Sequence, residues 1–171
     1  MTRHQIPLGR IFGISIGLDY SWFLIFFLLA WSLAIGYYPR ALPAQPVPVY
    51  WVLGAVSAIM LFASVLLHEL GHSLVALHYG VPVRSITVFI FGGVSQIGAE
   101  APTAAAELWI ALAGPAVSAA LAVCFGLLQP LVSTIGPVFA LTKYLAYING
   151  ALALFNLLSK IAPRLYTALP V

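Results

Sequence analysis

The sequence predicts an all-α polytopic membrane protein of about four transmembrane helices, with a small β-hairpin packed beside the second helix. Three observations carry that expectation. Hydrophobic residues make up 63% of the 171 and charged residues only 6%. Soluble domains carry about 25% charged residues, so this chain has too few to clothe a water-facing surface. Four apolar runs approach the roughly 20 residues that a helix needs to cross the hydrocarbon core. One stretch, 84–98, is instead short, β-branched and aromatic, with Gly92-Gly93 near its centre.

In chain order, the first twenty residues mix polar and apolar types. Arg3, His4, Arg10 and Asp19 precede any apolar core, so no cleavable leader is expected and the first span is retained. That span covers about 21–38, with aromatic residues at both ends as interface anchors. Pro39, Pro43, Pro46 and Pro48 predict a loop, because proline lacks the amide a helix interior needs. The second span, about 49–79, is long enough to emerge from the core before Gly80-Val81-Pro82 ends it. Residues 84–98 read as two strands turning at Gly92-Gly93. Such backbone is tolerated at membrane depth only when buried in protein or lining a cavity. The third span covers about 107–128 and the fourth about 137–158. Asp19 marks the interface before the first span, and Glu107 suits the positive end of the third helix. The whole, 1–171, is expected to be one membrane-embedded domain.

The net charge of +3 comes without a basic run, which excludes a nucleic-acid surface and leaves the lipid bilayer as the partner. Arg3, Arg10, Arg84, Lys160 and Arg164 fall on one side if the N-terminus is cytoplasmic. The expected location is therefore the plasma membrane, multi-pass, with the N-terminus inside. Arg40 then lies outside, and Lys143 can snorkel outward from the fourth span. The single Cys124 has no partner within the chain for a disulfide. Composition does not decide between a single copy and a homo-oligomer.

One motif carries chemistry. His68-Glu69-Leu70-Gly71-His72 lies near the end of the second span, after a run from Val49 to Leu67 without any charge. On a helix, histidines at i and i+4 share one face and can hold one zinc ion. Glu69 beside them suits a general base acting on water. Ionisable side chains are costly at membrane depth and are functional by default. The reading is peptide hydrolysis inside a bilayer, with the motif toward the cytoplasmic leaflet and water reaching it from that side. His78 falls on another face and His4 in the N-terminal segment.

These residues resemble the site-2 protease family of intramembrane zinc metalloproteases, over nearly the whole chain. LGRIFGISIGLDYSW is similar to that family's strand-then-span opening. HELGHSLVALHYGVPVRSITVFIFGGVSQI is similar to its HExxH helix and hairpin, and ALAGPAVSAALA to its third-span motif. Asn156 in ALFNLL matches the asparagine that opens its last motif. The resemblance implies His68 and His72 as zinc ligands and Glu69 as the catalytic glutamate. It implies that Asn156 holds the substrate or stabilises the oxyanion. Phe91, Gly92 and Gly93 would bind substrate beside the site, by strand addition to an unwound transmembrane segment. The substrates implied are membrane-anchored regulators.

The chain departs from the family at one place. Beyond the asparagine the family has prolines and a Leu-Asp-Gly motif whose aspartate is the third zinc ligand. Here Asn156 is followed by LLSKIAPRLY, and no acidic residue follows Glu107. A shortened chain, an altered reading of the gene's end, and a relative that binds membrane helices without cutting them each account for the difference. A small transporter is the remaining rival, and its polar residues should be spread over several spans.

Overall fold

The computed structural model describes residues 5–89, 92–98 and 101–168. It opens with an antiparallel hairpin, β1 (Gln5–Ile11) and β2 (Ile14–Asp19). Ile11 pairs with Ile14, so Phe12 and Gly13 form a two-residue turn, both at positive φ (50° and 82°). That is the primed-turn geometry that matches strand twist, here with phenylalanine at the first position. The Asp19 carboxylate accepts the Ser21 amide at 2.9 Å, satisfying one of the unpaired donors that open the next helix.

Among the described residues, four helices are long and apolar enough to cross a membrane, as the composition predicts. Their backbone groups are satisfied within each helix, which suits them to lipid. The first runs 21–41 in three parts: α1 (Ser21–Ser32), a π-helical segment (Leu33–Tyr37) and α2 (Tyr38–Ala41). Pro39 therefore does not stop the span, contrary to the sequence expectation. It follows a widened turn and sits within the first two positions of α2, where its missing amide costs least. Pro48 likewise occupies the first turn of α3 (Val47–His78). After α3 come β3 (Val83–Phe89) and β4 (Gly92–Ile97), then α4 (Ala104–Leu128) and α5 (Gly136–Ala168). Thr103 caps α4 by accepting the Ala106 amide at 3.1 Å, and Glu107 lies in its first turn.

The expected hairpin is present and is half of a larger unit. The sheet has four strands in the order β1-β2-β3-β4, with β2 and β3 parallel through the α1–α3 crossover. Gly92 pairs with Phe89 and Gly93 with Val88, so both glycines begin β4 rather than forming the turn. Phe91 lies outside the described residues.

Chain direction fixes what meets what. α1 leaves the sheet, α3 returns to it, α4 leaves again and α5 returns. The HExxH motif near the end of α3 and Asn156 late in α5 are thus brought to the sheet end. There Leu70 packs with Ile14, Ile16 and Ile86 in one buried cluster. A second cluster at the opposite end joins Leu33, Tyr38, Tyr50, Leu53, Tyr144 and Leu145.

Candidate metal centre

Successive residues of α3 point about 100° apart, so the motif serves several neighbours at once. Leu70 goes under the sheet, with the half-buried Leu66 packed against the same cluster. His68 and His72 turn toward α4, and Glu69 and Ser73 toward β4.

Both imidazoles are buried, His68 at 3% and His72 at 8% exposure. Their Nε2 atoms converge to 3.2 Å. Two nitrogens bound at about 2.0–2.1 Å to one tetrahedral zinc lie about 3.3 Å apart, so the pair is spaced for a shared ion. Each ring is held from behind. Nδ1 of His72 lies 2.6 Å from the Ile110 carbonyl, which can only accept, so the proton resides on Nδ1 and Nε2 keeps its lone pair. Nδ1 of His68 meets the Ser118 hydroxyl at 2.8 Å, compatible with the same tautomer.

Gly114 of α4 faces this pair. A β-carbon there would fall on Nε2 of His72 and stand 2.6 Å from Nε2 of His68. Only glycine leaves the space between the rings open. Gly114 and Ser118 sit four residues apart on one helix face, so one stripe of α4 provides both the space and the support. In the sequence this stripe falls within ALAGPAVSAALA, the stretch similar to the family's third-span motif. Ser118 and the Ile110 carbonyl carried no signal of their own.

Glu69 is half-buried, and its Oε2 accepts from the Ser95 hydroxyl of β4 at 2.8 Å. Ser73 donates to Ser95 at 3.2 Å, forming a short relay from one helical turn beyond. A β-carbon at Gly93 would collide with the Glu69 side chain and stand 3.4 Å from Val65. The missing side chain thus lets β4 lie against the motif, which is the physical reason for glycine at 93.

A cavity of about 480 Å³ is lined by His68, Glu69, Gly93 and Asn156, with an apolar wall that includes Leu61, Val65 and Phe155. The Asn156 side-chain amide donates to the Leu152 carbonyl at 2.8 Å. Seven residues earlier, the buried Asn149 donates to Ser64 of α3 at 3.2 Å and to the Leu145 carbonyl at 2.9 Å. This cross-helix link was not read from the sequence, where Asn149 stands alone in an apolar run. Among the described residues, no group of three His, Cys, Asp or Glu side chains converges as a metal set. Two buried imidazoles with converging Nε2 atoms and a glycine-made gap fit zinc as a partial set.

Residues 56–134 match Peptidase family M50. The solved site-2 protease from Methanocaldococcus jannaschii is similar in structure, with a TM-score of 0.56 and 28% identity, covering 86% of this chain and 63% of that one. The chain carries an M50 domain of the site-2 protease type. Among curated relatives, Rip3 of Mycobacterium tuberculosis is 46% identical over 159 residues. The protein sll0528 of Synechocystis is 41% identical over 158 residues. Both names class those proteins as zinc metalloproteases, and each match covers 91% of this chain. The M50 chain spans about two-fifths of their length, 40% and 41% respectively.

Proposed function

We propose that residues 1–171 form one membrane-embedded unit of a zinc-dependent endopeptidase that cleaves transmembrane segments of membrane-anchored regulators. One observation carries this reading. A single cavity is shared by His68, Glu69, Gly93 and Asn156, drawn from α3, β4 and α5. His68 and His72 would hold the metal through Nε2. Zinc, when bound, polarises a carbonyl and makes water more acidic. Glu69 takes the proton from water and passes it to the leaving amine, while Ser95 keeps its carboxylate aimed into the cavity. Asn156 donates to the substrate carbonyl, where charge develops in the transition state.

A helix hides its carbonyls, so the substrate must unwind to be cut. β4 ends the strand order, and its outer edge offers backbone groups to an extended segment. Gly93 leaves that strand close to Glu69, and Gly92 and Phe91 are proposed as substrate-binding residues beside it. The bilayer is the second partner, and the N-terminus and zinc site face the cytoplasm. The test is cleavage of a membrane-helix substrate in reconstituted vesicles, wild type against Glu69→Gln. Cleavage that persists in the variant contradicts the mechanism.

A second reading is a relative that binds membrane helices without cutting them. The two-histidine set, without a third ligand among the described residues, favours it. Substrate retained uncut, with zinc absent, is its signature.

A further inference from the structure

The end of the bundle away from the zinc site holds a second cavity of about 530 Å³, lined among others by Ser32, Gly36, Tyr37, Arg40 and Lys143. The distance between the two ends follows from α3. Its first turn lies beside α2, where the Tyr50 hydroxyl donates to the Leu42 carbonyl. His68 lies 21 residues beyond Val47, the first residue of α3, about 30 Å along the helix axis.

Two cations from different helices line this cavity, and both residues are exposed. The described carboxylates, Asp19, Glu69 and Glu107, all belong to elements at the sheet end. No acidic side chain among them reaches Arg40 or Lys143. Two like charges lining one cavity favour an anion, which offsets their mutual repulsion. Among the described residues none supplies it, which favours an anion from outside. Two contacts join the walls. The Tyr37 hydroxyl donates to the Ala140 carbonyl at 3.3 Å, and its ring packs on Tyr144 at 5.5 Å, tying the first span to α5. The π-helical segment widens the first span here, and such segments recur at functional sites. A β-carbon at Gly36 would meet nothing within 4 Å, so the glycine opens onto vacant volume.

We propose that Arg40 and Lys143 bind the phosphate of an anionic lipid headgroup, with Ser32 as an added hydrogen-bond donor and the apolar walls taking the start of the acyl chains. Arg suits planar contact with phosphate oxygens, and Lys143 reaches the same depth by snorkelling. The site is independent of hydrolysis at the zinc centre.

The test is melting temperature of the detergent-purified full chain, followed by intrinsic fluorescence. The probes are dioctanoyl phosphatidylglycerol, dioctanoyl phosphatidylcholine and inorganic phosphate. Phosphatidylglycerol should raise the melting temperature saturably. Arg40→Gln and Lys143→Gln should each weaken its midpoint roughly fivefold, at about 1 kcal/mol per basic residue near an anionic lipid surface. Gly36→Leu fills the cavity with both charges intact and should also abolish the response, which covers the case where the charge variants fold badly. An undiminished phosphatidylglycerol response in all three variants overturns the site. A response to phosphatidylcholine as strong as to phosphatidylglycerol overturns the requirement for an anion. Inorganic phosphate acting as strongly as the lipid overturns the lipid assignment and leaves a soluble phosphate.

Discussion

Each residue of the HExxH motif is supported by a neighbour that the motif does not name. His68 rests on Ser118, His72 on the Ile110 carbonyl, and Glu69 on Ser95. Loss of such outer partners typically lowers metal affinity about 10- to 100-fold. Ser118→Ala should therefore weaken zinc binding within that range while the chain stays folded, read by competition with a chelating dye. An unchanged affinity removes Ser118 from the centre. Glu69→Gln separates chemistry from metal binding. It should keep zinc and lose about 100-fold or more of the cleavage rate, the usual contribution of a general base. Gly114→Ala should lose zinc outright, because its β-carbon occupies the space between the two rings.

At the scale of elements, β4 and α3 act as a pair. Gly93→Val places a branched side chain against Glu69 and Val65. The expected result is near-complete loss of cleavage with zinc content preserved, since His68 and His72 face α4 instead. Loss of both together would mean that the hairpin supports the metal as well. This is also where the sequence was least legible. Hydropathy exposed the four apolar helices, because lipid admits little else. The hairpin at 84–98 was visible in its β-branched composition. The placement of its glycines was not, because the demand for glycine at 93 comes from Glu69, which is 24 residues away. The β1–β2 hairpin lacked an Asn-Gly signal, since its turn uses Phe12-Gly13. The π-helical segment before Pro39 was invisible, because a proline in sequence reports a lost amide and not the widened turn that absorbs it.

At the scale of the whole molecule, two polar regions lie at opposite ends of an apolar bundle. The proposed zinc centre lies at the sheet end, where α3 and α5 both return. His68, Glu69 and His72 were legible because an HExxH motif is rare among apolar residues. Asn156 came only from family resemblance. Asn149 was hidden because its partner, Ser64, is 85 residues distant. Orientation rests on the positive-inside rule. A fluorescent protein fused to the N-terminus, of a type that matures only in the cytoplasm, should fluoresce. A dark fusion with normal membrane expression would invert the topology and move the zinc centre to the outer face.

The most direct test is the zinc content of the detergent-purified chain, measured by mass spectrometry of the metal beside His68→Ala. The account predicts close to one zinc per chain, lost in the variant. No zinc in either form would contradict a metal centre in this polypeptide and leave helix binding without cleavage as its function.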